Sequence, residues 1–255
     1  MTNLFDLTGR VAIVTGGNGG IGLGMAEGLA SAGASIAVAA RNATKNAQAV
    51  KKLQGLGAKA IAVELDVTNE AACKALVKSC VDQFGRLDIL INNAGINIRK
   101  QPQLYTLDEW KQVMDTNLSS AFLCSQAAYP AMLKSGGGKI INTGSMTSIF
   151  GAGFAAPYSA SKGGMVQLTK ALAVAWAKDN IQVNAILPGW IDTDLTKQAR
   201  VEVEGLHERV LARTPAGRWG KPEDHAGIAV FLASAASDFI TGTAIPVDGG
   251  YASQA

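Results

Sequence analysis

Tyr158 and Lys162 stand four residues apart in APYSASKGG, and Ser145 lies thirteen residues upstream in NTGSMTS. Four residues is about one helical turn, so a tyrosine and a lysine at that spacing share one face of a helix. A free tyrosine has a pKa of about 10, and a neighbouring ammonium favours the phenolate and lowers it. The spacing therefore predicts a tyrosine tuned for use as an acid or base. A hydroxyl at Ser145, ending a strand beside that helix, can reach the same substrate oxygen. The chemistry open to this trio is the interconversion of a carbonyl and an alcohol. A Tyr–x–x–x–Lys spacing alone is a common accident on helices, so the assignment depends on what else the chain supplies.

The elements that must position the trio follow from hydrophobic patterning. RVAIVT, SIAVAA, AIAVEL, LDILIN, KIINTG, IQVNAIL and TAIPVD are short, β-branched runs, and each but the last is followed by a stretch long enough for a helix. Continuous apolar strands alternating with helices predict the α/β class: a doubly wound, seven-stranded parallel sheet with helices on both faces. Residues 20–32, 43–56, 69–84, 107–134, 157–178 and 222–234 read as the helices. Pro130 should kink or interrupt the fourth, because it lacks an amide donor and clashes with the preceding turn. Residues 192–215 have no clear period and are expected to form a substrate lid.

Composition bounds the function classes. At 255 residues, 48% hydrophobic and 17% charged, the chain can bury a substantial core. Its 23 basic and 20 acidic residues leave a formal +3, too small and too evenly spread for a nucleic-acid surface. No apolar run approaches a membrane span and no basic segment precedes an apolar one at the start, so a cytoplasmic protein is expected. Cys73 and Cys80, seven apart on one helix, lie roughly 10 Å apart along its axis, too far for a disulfide. With Cys124 they are expected to be buried, reduced thiols. No His, Cys or acidic spacing suggests a metal, and His207 and His225 are not obvious catalysts.

RVAIVTGGNGGIGLGMAEGLA reads as a strand, a glycine-dense turn and a helix, a context in which the turn can cradle a pyrophosphate on the helix N-terminus. Two registers fit: Gly17, Gly19 and Gly22 match GxGxxG, whereas Gly16, Gly20 and Gly22 match TGxxxGIG, with Asn18 and Ile21 between them. An acid closing the second strand takes the adenosine ribose of NAD, whereas an arginine accommodates the extra phosphate of NADP. Here Ala40 occupies the place of the acid, and Arg41 with Asn42 can receive a phosphate. NADP(H) is therefore the expected cofactor, with NAD(H) possible.

With TGGNGGIG, NNAG at 92–95, Asn117, Ser145, Tyr158, Lys162 and Pro188–Gly189 in order, the chain resembles the short-chain dehydrogenase/reductase family over nearly its whole length. The resemblance implies a single-domain Rossmann fold over residues 1–255 and selects the TGxxxGIG register. It implies that Tyr158 is the catalytic acid/base and that Lys162 lowers its pKa and binds the nicotinamide ribose. Ser145 orients substrate in this picture, and Asn117 holds a water in a proton relay. Asp66, beside Val67, resembles the residue reaching the adenine amine, and Asn93, Ala94 and Gly95 resemble the segment lining the adenosine ribose. Ile191 and Thr193 resemble the pair at the nicotinamide carboxamide, with Pro188 and Gly189 turning the chain toward it. A homotetramer is expected by the same analogy.

Substrate selectivity should come from loops at the carboxyl ends of the strands, with Asn97, Arg99, Ser145, Thr147 and Trp190 as candidates. Arg99 and Lys100, if turned inward, can bind a carboxylate; otherwise they form a solvated basic loop. The wording of this region is similar to members acting on sugars and sugar acids, such as gluconate and glucose dehydrogenases. A 3-oxoacyl or general carbonyl reductase is the alternative, and a nucleotide-binding regulator without turnover is a lesser one.

Overall fold

The structure is a computed structural model that describes residues 3–254. Seven parallel strands, β1 (Val11–Thr15), β2 (Ser35–Ala40), β3 (Ala60–Glu64), β4 (Ile89–Asn92), β5 (Gly138–Thr143), β6 (Ile181–Pro188) and β7 (Ala244–Val247), form one sheet in the order β3-β2-β1-β4-β5-β6-β7. Side chains alternate across the pleat. Ala12 and Val14 of β1 pack with Ile36, Val38, Ile89 and Ile91 on one face, whereas Val11 and Ile13 join Ala37, Ala39, Leu90 and Ile140 on the other. Both faces are covered, which is why these strands read as unbroken apolar runs. The strand order reverses between β1 and β4, and the crevice at their carboxyl ends is where such a sheet offers a ligand site.

The helices are α1 (Gly20–Ser31), α2 (Ala43–Gly55), α3 (Glu70–Phe84), α4 (Leu107–Met114), α5 (Ser120–Lys134), α6 (Ala156–Trp176), α7 (Asp194–Glu202), α8 (Leu206–Arg213) and α9 (Ala226–Ala233). Asn42 and Asn69 cap α2 and α3 by accepting from the amides of Lys45 and Ala72, and left-handed Gly85 stops α3. The expected helix 107–134 is two helices joined by a π-helical turn over Asp115–Ser119. The expected interruption at Pro130 is corrected: α5 runs through it. Pro130 and Gln126, whose carbonyl loses its helical donor, are both on the exposed face, so water can satisfy that carbonyl. Residues 192–215 form α7 and α8, packed through Ala199, Leu206 and Val210 on Trp219. The three cysteines are buried free thiols, with the Cys73 and Cys124 sulfurs 3.6 Å apart across α3 and α5.

Candidate active site

A cleft of about 610 Å³ opens at the carboxyl ends of the strands. Its floor begins at the glycine turn. Gly16 and Gly20 have φ of +63° and +50°, a region that glycine enters without strain. A Cβ on Gly22 would stand 2.3 Å from the Gly16 carbonyl oxygen and 2.4 Å from Asn93 Nδ2. Gly19 is extended, and a Cβ there would meet nothing within 4 Å. The steric requirement thus falls on all three glycines of TGxxxGIG and spares one of the GxGxxG set. Asn93 Nδ2 donates to the carbonyls of Thr15 and Gly16, and Thr15 Oγ1 accepts from the amides of Asn93 and Ala94. These bonds tie the end of β4 to the turn.

Gly16, Asn18, Gly20, Ile21, Arg41, Asn42, Asp66, Val67, Asn93, Ala94 and Gly95 line the cleft together with Ser145, Tyr158, Lys162, Pro188, Gly189, Ile191 and Thr193. Gly22 lies behind the wall. Asp66 accepts from both the amide and hydroxyl of Thr68, and these bonds hold its carboxyl below the usual range with help from Arg41. No acid joins Ala40, Arg41 and Asn42 at the end of β2.

Lys162 is 4% exposed and donates from Nζ to the Thr143 carbonyl at 2.7 Å. Its Nζ stands 5.6 Å from the centre of the Tyr158 ring. Burial lowers the Lys162 ammonium to about 8. The same burial pushes the Tyr158 phenol up, and the Ser145 hydroxyl and the Arg99 charge oppose that shift without overcoming it. This corrects the expectation of a phenol lowered by lysine: the ammonium is turned onto a backbone carbonyl, so desolvation dominates at the phenol. Ser145 Oγ accepts from the Thr147 amide at 3.2 Å, which fixes the hydroxyl at the start of a short turn.

Asn117 lies in the π-helical turn, 1% exposed and off the cleft wall. Its Nδ2 donates to the Ile96 carbonyl and to Ser161 Oγ, and its Oδ1 accepts from the Ile96 amide. Ser161 Oγ in turn donates to the Tyr158 carbonyl. The Asn117 amide hydrogens are therefore spent on clamping the Ile96 wall to α6. A Cβ on Gly95 would come within 3.3 Å of Asn117 Oδ1 and 3.7 Å of Lys162 Nζ, so the chain passes close over both.

The expected substrate residues other than Ser145 are not on the cleft wall. Arg99 is neither solvated nor free. Its guanidinium donates to Glu202 at 2.8 Å and to the Leu195 carbonyl at 3.2 Å, both on α7. Lys100 pairs with Glu109 of α4. Trp190 packs edge-on against Trp219 in the cluster that α7 and α8 cover, at 5.6 Å between ring centres. Asn97 Oδ1 and Thr147 Oγ1 are buried without a hydrogen-bond partner. Sequence reasoning missed Lys45, which lines the cleft and reaches Asp194 of α7, and the Thr143 carbonyl, a backbone group with no sequence signal. It also missed Glu202; an acid at the end of α7 facing a basic loop was the available clue. Among the described residues no cluster of three His, Cys, Asp or Glu could hold a metal, and no helix is long and apolar enough to cross a membrane.

Comparison with known proteins agrees with this geometry. A family model described as enoyl-(acyl carrier protein) reductase matches residues 16–252. Over 250 residues the chain is 43% identical to the 2-dehydro-3-deoxy-D-gluconate 5-dehydrogenase of Dickeya dadantii, covering 98% of each chain. It is 40% identical over 248 residues to the gluconate 5-dehydrogenase of Gluconobacter oxydans, covering 97% of this chain and 96% of that one. The crystal structure of a gluconate 5-dehydrogenase from Burkholderia cenocepacia in complex with NADP and tartrate is similar with a TM-score of 0.93 at 40% identity, covering 99% of this chain and 98% of that one.

Proposed function

From the premise that the chain belongs to the short-chain dehydrogenase/reductase family and is an NAD(P)-dependent oxidoreductase acting on CH–OH groups, we propose that it interconverts a secondary alcohol and a ketone on a sugar acid, using NADP(H). The observation that carries this reading is the cleft itself, lined by Ser145, Tyr158 and Lys162 and by Arg41 without a neighbouring strand-end acid. The relatives named for gluconate and its dehydro-deoxy derivative support the substrate class, and the NADP in the Burkholderia structure supports the cofactor.

The residues present fit that cofactor. The turn at Gly16, Gly20 and Gly22 leaves room where Cβ atoms would intrude, and the amides opening α1 favour an anion. Arg41 and Asn42 would take the 2′-phosphate, and Asp66 the adenine amine. NADP(H), when bound, supplies or accepts the hydride. Tyr158 gives or takes the proton at the substrate oxygen, and Ser145 donates a hydrogen bond to that oxygen. Lys162, held by the Thr143 carbonyl, would bind the ribose and bring positive charge to the phenol as it ionises. Asn117 keeps the Ile96 wall and α6 in register. An acyl-thioester reductase, the reading nearest the family model's description, wants an apolar channel. The relatives named for gluconate and its dehydro-deoxy derivative favour a hydroxylated, anionic substrate instead.

The test is a panel of sugar acids, sugars, 3-oxoesters and cyclic ketones, assayed with both cofactors for the wild type and Tyr158→Phe. A sugar acid with NADP(H) should give the highest kcat/KM. The variant should lose about 10²- to 10⁴-fold in kcat, the range for a positioned acid/base, while its cofactor affinity stays within a few-fold. Preference for a 3-oxoester, or near-wild-type turnover by the variant, overturns the reading.

A further inference from the structure

The Arg99 side chain is 8% exposed, and a guanidinium that deep in protein is costly without a counter-charge. The counter-charge comes from the lid. Glu202, in the last turn of α7, accepts from Arg99 at 2.8 Å, and the Leu195 carbonyl at the start of the same helix accepts from its other arm at 3.2 Å. Leu195 and Thr196 of α7 line the cleft, so the ion pair stands behind that part of its wall. The Arg99 charge opposes the rise that burial causes in the Tyr158 phenol.

We propose that Glu202 is an internal competitor, a carboxylate that occupies Arg99 until the carboxylate of an acidic substrate replaces it. This rests on the sugar-acid reading given above. Arginine and carboxylate match as planar, bidentate partners, so exchanging one carboxylate for another keeps the buried cation paired. A neutral polyol of the same length offers no such exchange: it must either leave Glu202 in place across the site or strand the guanidinium. Glu202 can leave at low cost. Its side chain is 36% exposed, and its second oxygen is already held toward the surface by Gln198. Arg99 and Gln198 hold its carboxyl below the usual range, so it stays ionised and competes at neutral pH. Breaking the Arg99–Glu202 pair costs any ligand that displaces Glu202, and only an anion regains a partner for the guanidinium; a neutral polyol binds with the pair left in place.

The experiment is calorimetric titration of D-gluconate and of D-sorbitol into wild type and Glu202→Gln, at constant ionic strength and with the reduced cofactor present so that gluconate cannot turn over. Gln keeps the size of the side chain and the contact with Gln198 while removing the competing charge. Gluconate should bind the variant about two- to fivefold more tightly, the scale of a partly exposed ion pair, while sorbitol binding stays unchanged. If wild type binds gluconate and the variant binds it equally or more weakly, Glu202 is a strut that supports Arg99 and the proposal is overturned while the sugar-acid reading stands. If neither protein binds gluconate, the sugar-acid reading fails and the proposal falls with it.

Discussion

Burial of Lys162 couples the active site to pH through stability as well as rate. Its ammonium titrates at about 8 in the folded protein against an ordinary value near 10.5. Below about 8 both folded and unfolded chains carry the proton, and the fold bears the whole desolvation cost. As pH rises through 8 the folded protein sheds the proton while the unfolded chain keeps it, so this group makes the fold more stable with rising pH until about 10.5. The full effect is at most about 3 kcal/mol. Lys162→Met removes it, so the Tm of wild type should gain on that of the variant by several degrees between pH 7.5 and 9.5, read by scanning calorimetry. A constant difference across that window would mean the lysine is not desolvated. Lys162 was legible in the sequence because its partner stands one turn away, and a spacing of four is visible in a single chain. Arg99 was not legible in the same way. Its partner is 103 residues distant on a helix with no clear period, so a solvated loop and an inward arginine read identically. The direction of the Tyr158 shift was misread for a related reason: which way Lys162 points is decided by the Thr143 carbonyl, and a backbone acceptor leaves no mark on residue type.

At the scale of elements, the strand–turn–helix of β1 and α1 shows how close approach sets residue type. Gly22→Ala would drive a Cβ into the Gly16 carbonyl and Asn93, both backed by the β4 connection. Overpacking of this kind costs about 1–3 kcal/mol. A Tm loss of roughly 3–10 °C is expected for a chain of this size. Gly19→Ala meets open space in an extended conformation and should shift Tm by less than about 2 °C. Melting the two variants without cofactor tests whether the turn needs a glycine at 19, which only the GxGxxG register requires; equal losses would mean that Gly19 carries a steric requirement the turn does not display. The strands and most helix starts were readable because a sheet covered on both faces leaves continuous apolar runs and because Asn42 and Asn69 are strong caps. The π-helical turn was not readable, since DTNLS sits in a sequence that supports an ordinary helix on either side. It is one extra residue in the hydrogen-bond ladder, held by the bonds of Asn117 to Ile96, far away in sequence. Pro130 misled because its effect depends on exposure: on the wet face of α5 a lost helical bond is replaced by water.

For the whole molecule, the single chain leaves two kinds of surface that a 26.3 kDa monomer has no reason to keep. Leu107, Trp110 and Phe122 are 65%, 39% and 43% exposed on α4 and α5, the helices flanking Asn117. Phe239 is fully exposed just before β7, an edge strand with no neighbour beyond it among the described residues. Apolar side chains and an open strand edge are liabilities unless another surface covers them. The two lie on different elements, and a closed homo-oligomer with two distinct two-fold contacts has four subunits. The expected outcome is a species of four times the chain mass by light scattering on a sizing column. Phe239→Glu should convert it to dimers joined through the α4–α5 surface, and Phe122→Glu to dimers joined through the β7 end. A Tm for each variant that depends on protein concentration would show folding and assembly to be linked. A wild type that elutes as a monomer at micromolar concentration would show that neither surface is an interface and that the exposed side chains serve only the single chain.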